Sequence, residues 1–217
     1  MTAATEVFAA SNFRATGVAA IADRAGVSEA ILYRHFATKL DLFCEVLDRI
    51  GRRIVEIWEG AVADAPDAIT ALRRAGEVYF VNTRNHPAEA RLQFQALSEV
   101  GEPAVAAVLA ANHRRYVEFF AGLVRRGQSD GSVRTDLDPS AVAWLLNGTG
   151  FAATMRGLVD PADDNTAGDR DEKVMGLLLD SLATEPPSSG RSTKPSARTP
   201  RASAPSLPKQ TPRKATR

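Results

Sequence analysis

His35, His86, His113 and Cys44 are the side chains best suited to nucleophilic, proton-transfer or metal chemistry in this 217-residue sequence, and their spacing supports none of it. The histidines are scattered. His86 precedes Pro87 in a predicted turn, and His113 adjoins Arg114 and Arg115 on a solvated helix face. No His or Cys spacing suits a metal, no Ser, His and Asp group together, and no glycine-rich phosphate loop appears. An enzyme is therefore not expected, nor is a metal or other cofactor. Cys44 is the only cysteine, which excludes an intrachain disulfide. Between Phe43 and Val46 it reads as a small core residue.

The spacing supports recognition instead. Between Thr16 and Phe36, Val18, Ile21 and Ala22 fall at i, i+3 and i+4, Leu32 and Phe36 fall at i and i+4, and Val27 fills the corner between them. Gly26 stands where the chain must reverse, and glycine tolerates the positive φ such a turn can need. Ser28 follows as a side-chain acceptor for the amides of the next helix. This is a helix-turn-helix whose second helix is exposed on one side.

The elements that position it are helical throughout. A helix over residues 2–11 turns Ala4, Val7 and Phe8 inward, and Asn12 is a plausible left-handed residue just beyond it. Thr38-Lys39-Leu40-Asp41 has capping-box spacing and opens a long helix whose apolar period runs from Leu40 to Trp58, ending near residue 59. That helix starts at the helix-turn-helix and ends in the next body, so it connects them mechanically. Pro66, Pro87 and Pro103 open further helices, the last running to Gly127. Asp138-Pro139 caps another, an Asp-rich loop follows Pro161, and a final helix lies near Asp169 to Ala183. The fold class is all-α, with about nine helices and no alternating segment that reads as a strand.

The formal net charge of +1 hides a division. Eight of the 27 lysines and arginines and none of the 26 acids fall at 186–217, a charge of +8, so the remainder carries 19 against 26, or −7. Seven of the 12 prolines lie in residues 184–217, which predicts a disordered tail. No run of about 18 apolar residues and no charged head with an apolar segment is present, so neither a membrane span nor a signal peptide is expected, and the predicted location is the cytoplasm.

Phe8 to Asp48, above all Ile21-Ala22-Asp23-Arg24-Ala25-Gly26-Val27-Ser28 followed by Leu32-Tyr33-Arg34-His35-Phe36 and Lys39, resembles the N-terminal domain of TetR-family transcriptional regulators. The resemblance implies a helix-turn-helix domain at 1–48, a helical ligand-binding and dimerisation domain at 49–183, and a basic tail at 184–217. It implies a homodimer on a palindromic double-stranded DNA operator, most often a repressor, released by a small-molecule effector. By position, Thr16 bonds a phosphate, Ser28 caps the recognition helix and touches the backbone, and residues Glu29, Ala30, Ile31 and Tyr33 face bases. Tyr33 and His35 meet phosphates or base edges, and Lys39 pins a phosphate at the start of the long helix.

Three features depart from the family pattern: Glu29, Ile31, and the short basic segment usual before the first helix, which this sequence does not show. Residues 1–50 hold five basic and six acidic side chains, a net of −1. Glu29 and Ile31 stand where basic or small residues are usual. They are either specificity contacts, to a cytosine amine and a thymine methyl, or they merely weaken binding. The basic tail is a candidate source of the missing attraction, with a functionless solvated extension as the alternative.

For the effector, the resemblance points to the C-terminal helices, where Tyr79, Phe94, Tyr116, Phe120, Trp144 and Phe151 are candidate lining, with Asn147 as a polar group to orient the ligand. Plain core packing is the alternative for each. Two rival functions remain open from sequence: a sequence-indifferent, nucleoid-type DNA coat relying on the tail, and a degenerate helix-turn-helix used for protein contacts. The dimer face is expected on the helix from Asp138 to Gly157, through Ala141, Gly148 and Ala152, and on the last helix through Val174, Leu177 and Leu178, with closure of the monomer core by the same face as the alternative.

Overall fold

Asn12 takes φ 63°, and this single residue shapes the first helix. The computed structural model describes residues 1–160 and 164–184. In it α1, Thr2–Ala15, bends at Asn12 and resumes for one turn because the Asn12 side chain accepts a hydrogen bond from the Ala15 amide at 3.0 Å. The break at Asn12 thus falls where the apolar pattern predicts the helix to end, and the extra turn carries α1 on to Ala15. Ala4 and Phe8 are buried, Phe8 sits edge-on to Phe43 at 5.0 Å, and Phe13 lies 4.8 Å from Phe43.

The helix-turn-helix follows as α2, Val18–Ala25, and α3, Glu29–His35. Gly26 closes α2 with φ 69°, the left-handed geometry predicted for it. Ile21 and Ala22 are buried, whereas Val18 and Val27 are only half-buried. Leu32 and Phe36 pack from α3 onto the main core. Ser28 occupies the N-cap position, but its hydroxyl makes no capping bond, which corrects the expectation of a side-chain cap.

The connecting helix α4, Lys39–Val62, is 24 residues long, about 36 Å at 1.5 Å per residue. Its start is the capping box read from sequence: Thr38 Oγ1 accepts from the Asp41 amide at 3.0 Å and Asp41 returns the bond to the Thr38 amide at 2.9 Å. Phe43, Val46, Leu47, Ile50, Ile54 and Trp58 form its buried stripe. Five further helices complete the fold: α5, Ala68–Asn85; α6, Pro87–Ala96; α7, Pro103–Asp130; α8, Pro139–Val159; and α9, Asp164–Leu182, with a short 3-10 turn, Leu97–Glu99, after α6. Nine α-helices and no strand are thus present among the described residues. Only an isolated bridge pairs Val133 with Ala183.

Proline at N1 opens α6, α7 and α8, and Asp67 and Asp138 cap α5 and α8 through their side chains. Gly127 does not end α7. The helix runs on to Asp130, and Gly131 at φ 81° closes it. Gly127 serves packing instead, because a methyl there would overlap Val133 and the Ala68 side chain. A second close approach joins α4 to α7. Gly51 leaves room for the buried Asn112 amide, which donates to the Leu47 carbonyl at 3.0 Å and accepts from Arg115 at 2.6 Å. Arg115 also reaches Asp48 at 2.6 Å.

One hydrophobic core runs from Ala4 through α4 to Leu182, within a unit spanning Met1–Thr184. Residues 185–217, on which the disorder predicted for the tail falls, lie outside the described residues. The Asp-rich loop predicted after Pro161 also falls partly outside them, and α9 begins at Asp164.

Candidate nucleic-acid interface and effector core

Glu29, Ala30, Ile31, Tyr33, Arg34 and His35 project from α3 into solvent, with Ser28 exposed just before them. Glu29, Tyr33 and Arg34 make no side-chain hydrogen bond or ion pair among the described residues. A short helix with an acceptor, an aromatic hydroxyl, a guanidinium and an imidazole on one open face is equipped to read base edges and phosphates together. Arg34 was not among the residues singled out from sequence. The legible signal was its place between Tyr33 and His35, on the part of α3 that Leu32 and Phe36 leave outside.

Thr16 and Lys39 are placed differently from the sequence expectation, since both are turned inward. Thr16 is 3% exposed, and its hydroxyl donates to the Asn12 carbonyl at 2.6 Å. The Lys39 ammonium donates to the carbonyls of Phe13 and Thr16, each at 2.8 Å, and of Arg14 at 3.4 Å, and it lies 4.7 Å from the Phe13 ring centroid. The reason lies in α1. Its kink and C-terminus leave carbonyls without helical partners, and a cation at a helix C-terminus satisfies them while meeting the negative end of the dipole.

Other cations near this face are also engaged. Arg14 bonds both carboxylate oxygens of the buried Glu99 at 3.1 Å, and Arg24 pairs with Glu6 at 2.6 Å. Of the five cations in residues 1–50, only Arg34 and Arg49 have no partner among the described residues.

Behind α4, Trp58 forms the centre of an aromatic cluster, with ring centroids of Tyr79, Tyr116, Phe119 and Phe120 at 5.9, 5.3, 5.2 and 4.8 Å. A hollow of about 40 Å³ opens beside it. Tyr79, Tyr116, Phe120 and Asn147, four of the seven candidate ligand residues, line it together. Tyr79 donates to or accepts from Thr154 at 2.8 Å, and burial raises the pKa of both tyrosines above the ordinary phenol value.

The other three candidates do not join them. Phe94 stacks on Phe151 at 4.6 Å, away from the hollow, and Trp144 is 64% exposed. Val142, Ala143, Leu146 and Thr154 are the buried α8 side chains, and Trp144, Phe151 and Met155 lie on the opposite face. Trp58, Ile54, Gln93 and Met175 belong to the lining and were not anticipated there, because the α4 stripe reads equally well as plain core. The outward apolar face of α8 continues onto α9, where Val174 and Leu177 are exposed while Met175, Leu179 and Leu182 are buried.

This geometry can be set beside known proteins. Residues 1–46 match the bacterial regulatory proteins of the tetR family, and residues 68–184 match the C-terminal domain of BetI-type transcriptional repressors. The chain belongs to the TetR family. It is similar to the HTH-type transcriptional activator FasR of Mycolicibacterium smegmatis, 40% identical over 105 residues, a match that spans 48% of each chain and so about half of that relative's length. It is also similar to the HTH-type transcriptional repressor KstR2 of Rhodococcus jostii, 28% identical over 195 residues, covering 83% of this chain and 88% of that one. Among solved structures, the regulator FadR of Bacillus subtilis in complex with stearoyl-CoA shares the fold, with a TM-score of 0.75 at 18% identity over 83% of this chain and 96% of that one. As a TetR-family member the chain is a DNA-binding, ligand-responsive regulator of transcription. No helix among the described residues is long and apolar enough to cross a membrane.

Proposed function

We propose that this chain works as a homodimeric repressor whose α3 helices enter successive major grooves of a palindromic operator, and that a small molecule entering the Trp58 core releases it. The observation that carries the reading is α3 itself, with Glu29, Ala30, Ile31, Tyr33, Arg34 and His35 exposed on a short helix that Leu32 fastens to the core. Ser28 joins them at the helix N-terminus, while Thr16 and Lys39 position the motif from behind by fastening α2 and α4 to the end of α1.

Functionally, residues 1–48 read DNA and 49–183 sense and dimerise. The exposed apolar strip of Trp144, Leu145, Phe151, Met155, Val174 and Leu177 is the surface a second copy would cover. The effector is an apolar molecule, a class that includes the acyl chain of the ligand held by the Bacillus subtilis FadR structure. Two contacts favour transmission to the DNA end besides α4. Gln95 in α6 donates to the Ala9 carbonyl at 3.1 Å, and Arg14 grips Glu99 just beyond α6.

Sequencing the DNA fragments bound in cells tests this reading. One or a few palindromic sites near regulated genes are expected. Broad, sequence-indifferent coverage would instead make the protein a DNA coat, and an absence of bound DNA would make the motif a protein-contact module.

A further inference from the structure

Trp58 Nε1 and the Tyr116 hydroxyl are both buried, and neither has a hydrogen-bond partner among the described residues. Buried polar groups are almost always paired, so two unpaired donors at one place need an explanation. Both residues line the hollow beside Ile54, Phe80, Phe120 and Met175. They come from α4 and α7, with their rings edge to face at 5.3 Å. Tyr79, the third polar aromatic, already has Thr154 as partner, and Asn147 lies 3.3 Å from His113.

We propose that Trp58 Nε1–H and Tyr116 O–H are the polar anchor of the effector site, and that the effector is an uncharged, largely apolar molecule carrying a carbonyl oxygen. This rests on the reading that the chain is released by a small molecule bound in this core. A carbonyl oxygen has two lone pairs and takes one bond from each donor. Of the remaining lining, Tyr79, Gln93 and Asn147 carry uncharged polar groups and the other side chains are apolar, and no Asp, Glu, Lys, Arg or His lines the hollow. A carboxylate there would be buried without a counter-charge, which is costly.

A quaternary ammonium is the alternative that five clustered aromatic rings suggest, through cation–π attraction. The Trp58 N–H disfavours it, because a quaternary ammonium offers no acceptor and would leave that donor unpaired, and no acid lines the hollow to balance the charge. The hollow of about 40 Å³ has room for only a few water molecules, at about 10–15 Å³ each, so a ligand must widen it. Met175 provides the means. Its unbranched side chain, on α9, forms one wall and rests against Gly76, with Cε 3.1 Å from where a methyl on that glycine would stand.

The experiment is calorimetric titration of the full chain with three probes of one chain length: methyl octanoate, octanoate and octyltrimethylammonium. Methyl octanoate should bind at least tenfold tighter than either ion. Tyr116→Phe should weaken the ester by about tenfold, the loss of one hydrogen bond, and leave octyltrimethylammonium, which has no acceptor, unaffected. The unliganded Tyr116→Phe protein should melt no lower than wild type, since it loses an unpaired group rather than a bond. Tighter binding of the ammonium, an ester affinity indifferent to Tyr116→Phe, a lowered melting temperature of the free variant, or no binding of any probe up to millimolar concentration would each overturn the inference.

The same probes are then added to the protein bound to DNA selected from a random pool. Release by octyltrimethylammonium but not by the ester would leave the small-molecule release reading standing and remove the carbonyl anchor. Ester binding with the Tyr116 dependence but no release would do the reverse.

Discussion

Lys39 shows how a single side chain can carry a different role from the one its position suggests. At the start of a helix in a DNA-reading motif a lysine is a natural phosphate contact, yet here its ammonium is shared among three carbonyls at the end of α1. The consequence is measurable. Lys39→Met should lower the melting temperature and weaken operator binding while leaving the slope of log affinity against log salt unchanged. Loss of a phosphate contact would instead reduce that slope by about 0.9. The sequence could not disclose this, because the carbonyls that capture Lys39 are freed by the kink at Asn12, and their proximity is a tertiary fact.

The tyrosines Tyr79 and Tyr116 give a second prediction. Their folded-state pKa values are raised above the ordinary 10.0, chiefly by burial, so the folded state holds their protons more tightly than the unfolded chain does. Stability from this source is complete below about pH 10 and falls as the pH rises beyond it. Thermal melts from pH 8 to 11.5 should show a decline above about pH 10 that flattens in Tyr116→Phe. A parallel decline in both proteins would contradict the assignment. Cys44 is a less apt nucleophile than a free thiol, since burial and then Asp41 push its pKa up, in accord with a packing role.

At the scale of elements, several helix starts were legible in the sequence, although Ser28 makes no side-chain cap, Asp67 rather than Pro66 opens α5, and Gly131 rather than Gly127 closes α7. Thr38 with Asp41, Asp138, and proline at the openings of α6, α7 and α8 act locally, so their spacing alone places them. Faces were legible only where one side of a helix is polar. The stripe on α4 could be read, whereas α8 is apolar or small nearly all round from Ala141 to Met155 and its period does not select the inward side. That is why Trp144 and Phe151 were expected inside and lie outside.

The α4–α7 crossing offers a direct check on packing. Gly51 faces the Asn112 amide, and Asn112 in turn holds Leu47 and Arg115. Gly51→Ala should destabilise the fold by about 1–3 kcal/mol, because a well-packed crossing must shift to admit the methyl. A variant as stable as wild type in denaturant titration would show that the crossing is loose.

At the scale of the molecule, two surfaces await partners. Leu177 is 73% exposed, and with Val174 and Trp144 it belongs to the apolar strip proposed as the dimer face. Leu177→Asp should turn a dimer into a monomer in sedimentation equilibrium and abolish operator binding, and a monomeric wild type would rule out the strip as a dimer face. The second surface is charge. The body carries −7 and the segment 186–217 carries +8, while the motif that reads DNA has most of its cations engaged within the fold. Deleting 186–217 should therefore flatten the salt dependence of operator affinity by several units of slope and leave sequence preference intact. An unchanged slope would mean that the tail makes no contact with phosphate.

The central claim is that α3 reads sequence, and that Glu29 takes part in the reading. The most direct test is selection of binding sites from random DNA, run in parallel on the wild-type chain and on Glu29→Lys. The wild type should recover a palindrome with half-sites about one helical turn, or a small multiple, apart, and the variant should recover one altered at the same symmetric position in each half. Recovery of no palindrome, or a uniform gain by the variant on all DNA, would contradict it.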